Sequence, residues 1–194
     1  MRSLLLLLSI CSCALSAPAW KAELSPVKPG SHPPIGSSTL DFVLSWKGMV
    51  KAGILNLEFA PRDTQKPGSL VIKSSAASQG AAAILFPYKH RHWSEINPST
   101  LGSKYFHSTE EDSEEMIITR NRFTSSGVKS QEATTDLKSK AVSTESFVFP
   151  YANARDMFSA ILYIRSQKLA PGEEHTLLLL PFKTPYLLKV RVEA

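Results

Sequence analysis

Two histidines, His90 and His92, are the first place in this chain where side chains could do chemistry together. On an extended strand, residues two apart project from the same face, so both imidazoles can reach one metal ion. A metal site needs a third or fourth donor. Glu95 falls on the opposite face of the strand, and His107, His32 and His175 are distant along the chain. His90 and His92 therefore stand as metal candidates, while an ordinary polar strand face is the preferred reading.

Asp156, Ser159 and Arg165 form a second constellation, to which His175 could add an imidazole. Hydrolysis by such a set needs an exposed serine, and no Gly-x-Ser-x-Gly turn presents Ser159. Asp156 is better explained as a helix cap and Ser159 as a residue of the first helical turn. The acidic run Glu110-Glu111-Asp112-Ser113-Glu114-Glu115 lacks the glycine and the alternating oxygen ligands of a calcium loop, so it reads as a solvated loop. There is no glycine-rich phosphate loop after a strand, no Cys-x-x-Cys and no His-Glu-x-x-His. No catalytic residue is assigned, and no cofactor is expected.

A larger group of aromatic residues, Phe42, Trp46, Phe59, Phe86, Trp93, Phe123, Phe147 and Phe149, is expected mostly in the core. A curved sheet could also use some of them to line a concavity for an acyl chain or another apolar ligand.

The elements that must position these residues follow from periodicity. Leu40, Phe42, Leu44 and Trp46 alternate with Asp41, Val43, Ser45 and Lys47, the period of a half-buried strand. A turn at residues 47–53 leads into Leu55, Leu57 and Phe59, which completes a hairpin. Further strands are predicted from residue 70, over 88–96, 104–108, 116–123, 128–136 and 143–149, with a last hairpin over 174–181 and 186–192. The alanine-rich stretch 76–86 predicts a short helix, and residues 155–167 a better one, with Met157, Ala160, Ile161 and Ile164 on one face. Strands without a β-α-β rhythm give a mainly β fold: a curved or partly closed, barrel-like antiparallel sheet with one or two short packed helices.

The N-terminus reads as an export address. Met1-Arg2 is basic, an apolar core of about seven residues follows, and small residues end at Ala17-Pro18-Ala19. Cleavage before Trp20, or after Ala14-Leu15-Ser16, would remove both cysteines of the chain. The alternative is a lipoprotein acylated at Cys13, since Ile10-Cys11-Ser12-Cys13 loosely matches a lipobox. The core is far shorter than the roughly 20 residues of a spanning helix, so membrane attachment would come only through a lipid on Cys13.

Residues 20–38 hold four prolines and read as an extended tether. About 155 residues follow, enough for one domain with a real core. The formal charge of +5 becomes +4 once Arg2 leaves with residues 1–19. This dispersed surplus reads as a solvated basic surface, and the export address argues against a nucleic-acid partner.

Leu40-Asp41-Phe42-Val43-Leu44-Ser45-Trp46-Lys47-Gly48, Ile96-Asn97-Pro98-Ser99-Thr100-Leu101 and Arg155-Asp156-Met157-Phe158-Ser159-Ala160-Ile161-Leu162-Tyr163-Ile164-Arg165 appear in the order and spacing of an exported bacterial family. Over residues 39–194 the chain resembles that family, known as domain of unknown function 3108. The resemblance implies a periplasmic or envelope location and a β-rich fold, and it carries no activity. Family members continue beyond the last hairpin, so the expectation is either a shortened member or an incomplete reading frame, with the final strand as an exposed edge. The functional expectation is a non-catalytic envelope protein that binds an apolar or lipid ligand or an envelope protein partner. A structural protein pairing through an edge strand, or an enzyme of unknown type, is the alternative.

Overall fold

Eight consecutive strands, each turning back beside the last, make the main sheet of the computed structural model, which describes residues 19–60, 66 and 68–193 except the Trp46 side chain. The address segment, Cys13, most of the polar loop after residue 60 and the Trp46 side chain lie outside the described residues. The strands are β1 (Ser38–Trp46), β2 (Val50–Phe59), β3 (Leu70–Ser78), β4 (Lys89–Ile96), β5 (Ser103–Glu111), β6 (Glu115–Thr124), β7 (Gly127–Asp136) and β8 (Val142–Phe149). Every neighbouring pair is antiparallel. The mainly β, antiparallel fold is thus as expected. Among the described residues β1 and β8 do not pair, so the sheet is open rather than a closed barrel.

Side-chain oxygens set several of the turns. Asp112 Oδ1 accepts from the N–H groups of Glu114 and Glu115 between β5 and β6, and Asp136 Oδ1 does the same for Lys138 and Ser139 after β7. Asn97 Oδ1 receives Ser99 and Thr100. Such local bonds favour a turn over a continued strand. The acidic run is therefore the end of β5, a two-bond turn at Asp112 and the start of β6.

The first helix is shorter than its alanines suggest. Helix α1 spans only Gly80–Leu85, because Ala76 and Ala77 belong to β3 and pair with Leu55 and Ile54 on one side and His90 and Lys89 on the other. Sheet pairing on both edges overrides the modest helix preference of two alanines. Helix α2 spans Met157–Ser166 with Asp156 as its cap, accepting from Phe158 and Ser159 N–H at 2.9 Å each. β9 (Glu174–Leu179) and β10 (Tyr186–Arg191) form a separate two-stranded sheet.

α2 and β9 pack over one face of the main sheet. Ile72, Ile96, Phe106 and Phe158 are buried together, with Phe59, Phe123 and Phe182 against them. Val128, Ala154, Leu178 and Leu180 form a second cluster, and Ala160, Tyr163 and Leu177 a third. The expected aromatic core is partly displaced. Phe59, Phe123 and Phe149 do pack inward, but Phe42 and Phe86 are exposed, and the buried aromatics are Phe106, Phe158 and Tyr163.

The proline-rich stretch is docked rather than a free tether. A 3-10 turn over Ala19–Glu23 places Trp20 edge-on to Tyr151, and Trp20 and Leu24 pack on the second cluster. Ser25 bonds β9 through Thr176 N–H and carbonyl at 2.9 Å each, and the Tyr163 hydroxyl donates to the Pro26 carbonyl. Gly30 passes so close to the end of α2 that a Cβ would stand 1.9 Å from the Ser166 carbonyl oxygen. Proline removes donors but leaves carbonyls, and it is these carbonyls, with the serine and glycine N–H groups, that hold the strap.

Asp156 ties this layer to the sheet: its Oδ2 accepts from the buried Ser94 hydroxyl of β4 at 2.9 Å. Asp156→Ala removes the cap and leaves Ser94 without a partner, so we expect a loss of about 2–4 kcal/mol in urea unfolding, with little change in the m-value.

Candidate functional site

The strand registers align side chains into rows on the face beneath α2 and β9. One row runs Leu40, Leu57, Ser74, His92, Ser108, Thr119 and Glu132 from β1 to β7. The next runs Phe42, Leu55, Ala76, His90, Glu110, Ile117 and Thr134. Both rows begin apolar on β1 and β2; the first turns polar from β3 onward, and the second carries His90 and Glu110 on β4 and β5 before returning to Ile117 on β6.

His90 and His92 do share this face. Their rings stack, parallel within 1° and with centroids 4.3 Å apart. His92 also touches Phe106, Phe158 and Phe182, with centroids at 5.4, 6.2 and 6.2 Å. Burial in this apolar surround, with a smaller contribution from His90, lowers the His92 pKa to about 3, and burial lowers that of His90. Both rings are therefore neutral at pH 7. Glu110 lies opposite His90, but its carboxylate accepts the Tyr88 hydroxyl at 3.0 Å. Among the described residues no third histidine, cysteine or carboxylate joins the pair in metal-binding geometry.

The other candidates are dispersed. His107 lies on the opposite sheet face, beside Trp93 in register, and burial and the Arg120 charge lower its pKa. Lys66 and Lys73 approach the Trp93 ring at 5.5 Å each. His32 bonds its neighbour's carbonyl, and His175 is on β9. Ser159 is buried and spends its hydroxyl proton on the Leu101 carbonyl at 2.5 Å, while Asp156 serves N–H and hydroxyl donors. Arg165 is exposed on α2. Asp156 and Ser159 thus hold structure, Arg165 faces solvent, and the three do not assemble a nucleophile with a base.

Sequence reasoning missed the most unusual feature of the face. Ser108, Thr119 and Ser130 hydroxyls, Asn121 Oδ1 and both ring nitrogens of His92 are buried and have no hydrogen-bond partner among the described residues. A buried polar group without a partner costs about 1–3 kcal/mol, and such groups are rare. Here they are cross-strand neighbours: His92 faces Ser108, Ser108 faces Thr119, and Asn121 faces Ser130. The pattern is present in the sequence as Phe106-x-Ser108 and Thr119-x-Asn121. It is obscured because the opposite face of β6 is equally polar, with Arg120 and Arg122.

The connection between β9 and β10 crosses this region. Asn121 Nδ2 donates to the Leu180 and Phe182 carbonyls at 3.3 and 2.9 Å, and Lys183 reaches Glu132 and Glu145 at 2.9 and 3.4 Å. The cover does not extend to the first strands. Leu40 and Phe42 are each 44 % exposed, and beyond them Met49, Ile84, Leu85 and Phe86 are among the most exposed apolar side chains. Helix α1 hangs beside the β1–β2 turn through the bond from Gln79 N–H to the Ala52 carbonyl.

No protein-family model, curated protein or solved structure matches this chain.

The buried histidine makes stability depend on pH. An unfolded His92 gains a proton below its ordinary value of 6.5, whereas the folded ring resists until about 3. Between these values the unfolded state binds more protons, so stability falls as the pH falls from 6.5 toward 3. Thermal unfolding across this window should show a falling midpoint, with the dependence reduced in His92→Phe.

Proposed function

We propose that this is an exported, non-catalytic envelope protein that holds a hydrophobic or lipid-like ligand on the inner face of its open sheet. The observation that carries the reading is the uncovered apolar stretch on β1 and β2. Leu40 and Phe42 are exposed, yet they continue the same rows as Leu55 and Leu57, and Leu57 packs on the core. A soluble protein rarely leaves a contiguous apolar face uncovered unless something binds there. The address segment and the family resemblance support an envelope location, either free after cleavage or anchored through Cys13. The commitment of Ser159 and Asp156 to structural bonds favours binding over hydrolysis.

The test is lipid extraction and native mass spectrometry of the purified protein. Co-purified apolar material is expected, and Phe42→Glu should abolish it while changing stability by no more than about 0.5 kcal/mol. A wild-type protein that carries and takes up no apolar ligand would end this reading.

A second reading, assembly through an edge strand, draws on β1. Its nine residues carry a single charge, Asp41, and pair only with β2 among the described residues. β10 also has an open edge, but Lys189 and Arg191 blunt it. Proline at Val43 should then dissociate an oligomer that proline or a charge at Leu188 or Val190 leaves intact. A monomer at high concentration by light scattering would remove the reading.

A further inference from the structure

We infer that the row of buried polar groups at His92, Ser108 and Thr119, with Ser130 and Asn121 beside it, is a subsite for the uncharged head group of an amphiphile, a glyceride-type ester or hydroxyl. The inference rests on the ligand-binding reading above and names the ligand's chemistry.

The first argument is hydrogen-bonding capacity. Each of these side chains is buried, and each has an atom without a partner among the described residues. Buried polar atoms are almost always satisfied, so neighbouring unsatisfied ones point to a shared polar partner. Serine and threonine hydroxyls both donate and accept, a neutral imidazole offers one donor and one acceptor, and Asn121 Oδ1 accepts. This mixed set matches ester and hydroxyl oxygens.

The second argument is charge. Lys183 is the cation over this region, and it is held by Glu132 and Glu145. Glu132 directly follows Thr119 in the row. Among the described residues a carboxylate or phosphate head would meet acidic side chains and no unpaired cation here, so an anionic lipid is disfavoured.

The third argument is position. The same register that places His92 on β4 places Leu57 and Leu40 on β2 and β1. Strands are about 4.8 Å apart, so the apolar end lies about 14 Å from His92. An acyl chain of medium length spans that distance, with its head on the polar row and its tail on the uncovered strands.

The test uses the purified chain and an uncharged fluorescent apolar probe, N-phenyl-1-naphthylamine, displaced by monolauroylglycerol or by laurate. Monolauroylglycerol should compete at least about tenfold better than laurate, because its neutral head both donates to and accepts from these groups, whereas a carboxylate has no donor and would bury an uncompensated charge beside Glu132. Ser108→Ala combined with Thr119→Val should keep probe binding and erase that preference. Removing unpaired buried hydroxyls should leave the protein folded. If the double variant does not fold, Thr119→Val alone supplies the same readout. Equal competition by the two lipids, or a preference that survives the substitutions, overturns the inference while leaving the apolar site in place. Failure of the probe and of both lipids to bind overturns the ligand-binding reading, and the inference with it.

Discussion

A buried arginine and a buried aspartate, adjacent in the chain, hold the layers of this protein together. Arg155 and Asp156 are both inaccessible, yet they spend their bonding capacity on other partners. The Arg155 guanidinium donates to the Leu101 carbonyl at 2.5 Å, to Ser159 Oγ at 3.0 Å and to the Val27 carbonyl at 3.1 Å, and lies 4.3 Å from the Tyr163 ring centroid. Its backbone bonds Leu178 and Leu180 of the β9 region. Asp156 caps α2, accepts from Ser94 of β4 and donates its N–H to Ser103 of β5. Two residues thus join the strap, the sheet, α2 and β9. Burial pushes the Asp156 pKa up and the Arg155 pKa down, and the bonds each makes to its charged form are what offset that burial.

This junction also determines what is left uncovered. It anchors α2 and β9 over the strands from β3 to β7, where Phe158 and Leu178 meet Ile72, Phe106 and Val128. A ten-residue helix and a short hairpin cannot reach across eight strands. Among the described residues the first strands therefore keep an apolar face without a protein layer, and the central strands keep polar groups beneath the β9–β10 connection. Apolar end and polar end lie along the same rows because antiparallel pairing keeps residues of alternate parity on one face.

Much of the fold was legible in local pattern. The alternation from Leu40 to Trp46, the return through Leu55 and Phe59, and the Asp156 cap are local signals, and each element formed where it was expected, although the Leu40, Phe42 and Leu44 face of β1, expected to be buried, is exposed. The alanines at 76 and 77 misled because their pairing partners on β2 and β4 are remote in sequence. The prolines at 26 and 33 misled for a similar reason: they exclude sheet pairing but say nothing of carbonyls accepting from Tyr163 or of a strap lying on α2. Of the site, His90 and His92 were readable from spacing. Ser108, Thr119, Asn121 and Ser130 were not, because a small polar residue in a strand looks alike whether it faces solvent or another layer.

By itself, the sequence determined the mainly β antiparallel class, the first and last hairpins, the Asp156 cap, and the shared face of His90 and His92, since each depends on residues close along the chain. Tertiary structure alone decided that Arg155 is buried, that the strap is docked, that the sheet stays open, and that the Ser108, Thr119 and Ser130 hydroxyls and Asn121 Oδ1 lie without a hydrogen-bond partner among the described residues, beside a neutral histidine. Those outcomes depend on which layer covers which strands, and coverage is set by contacts between residues more than fifty positions apart.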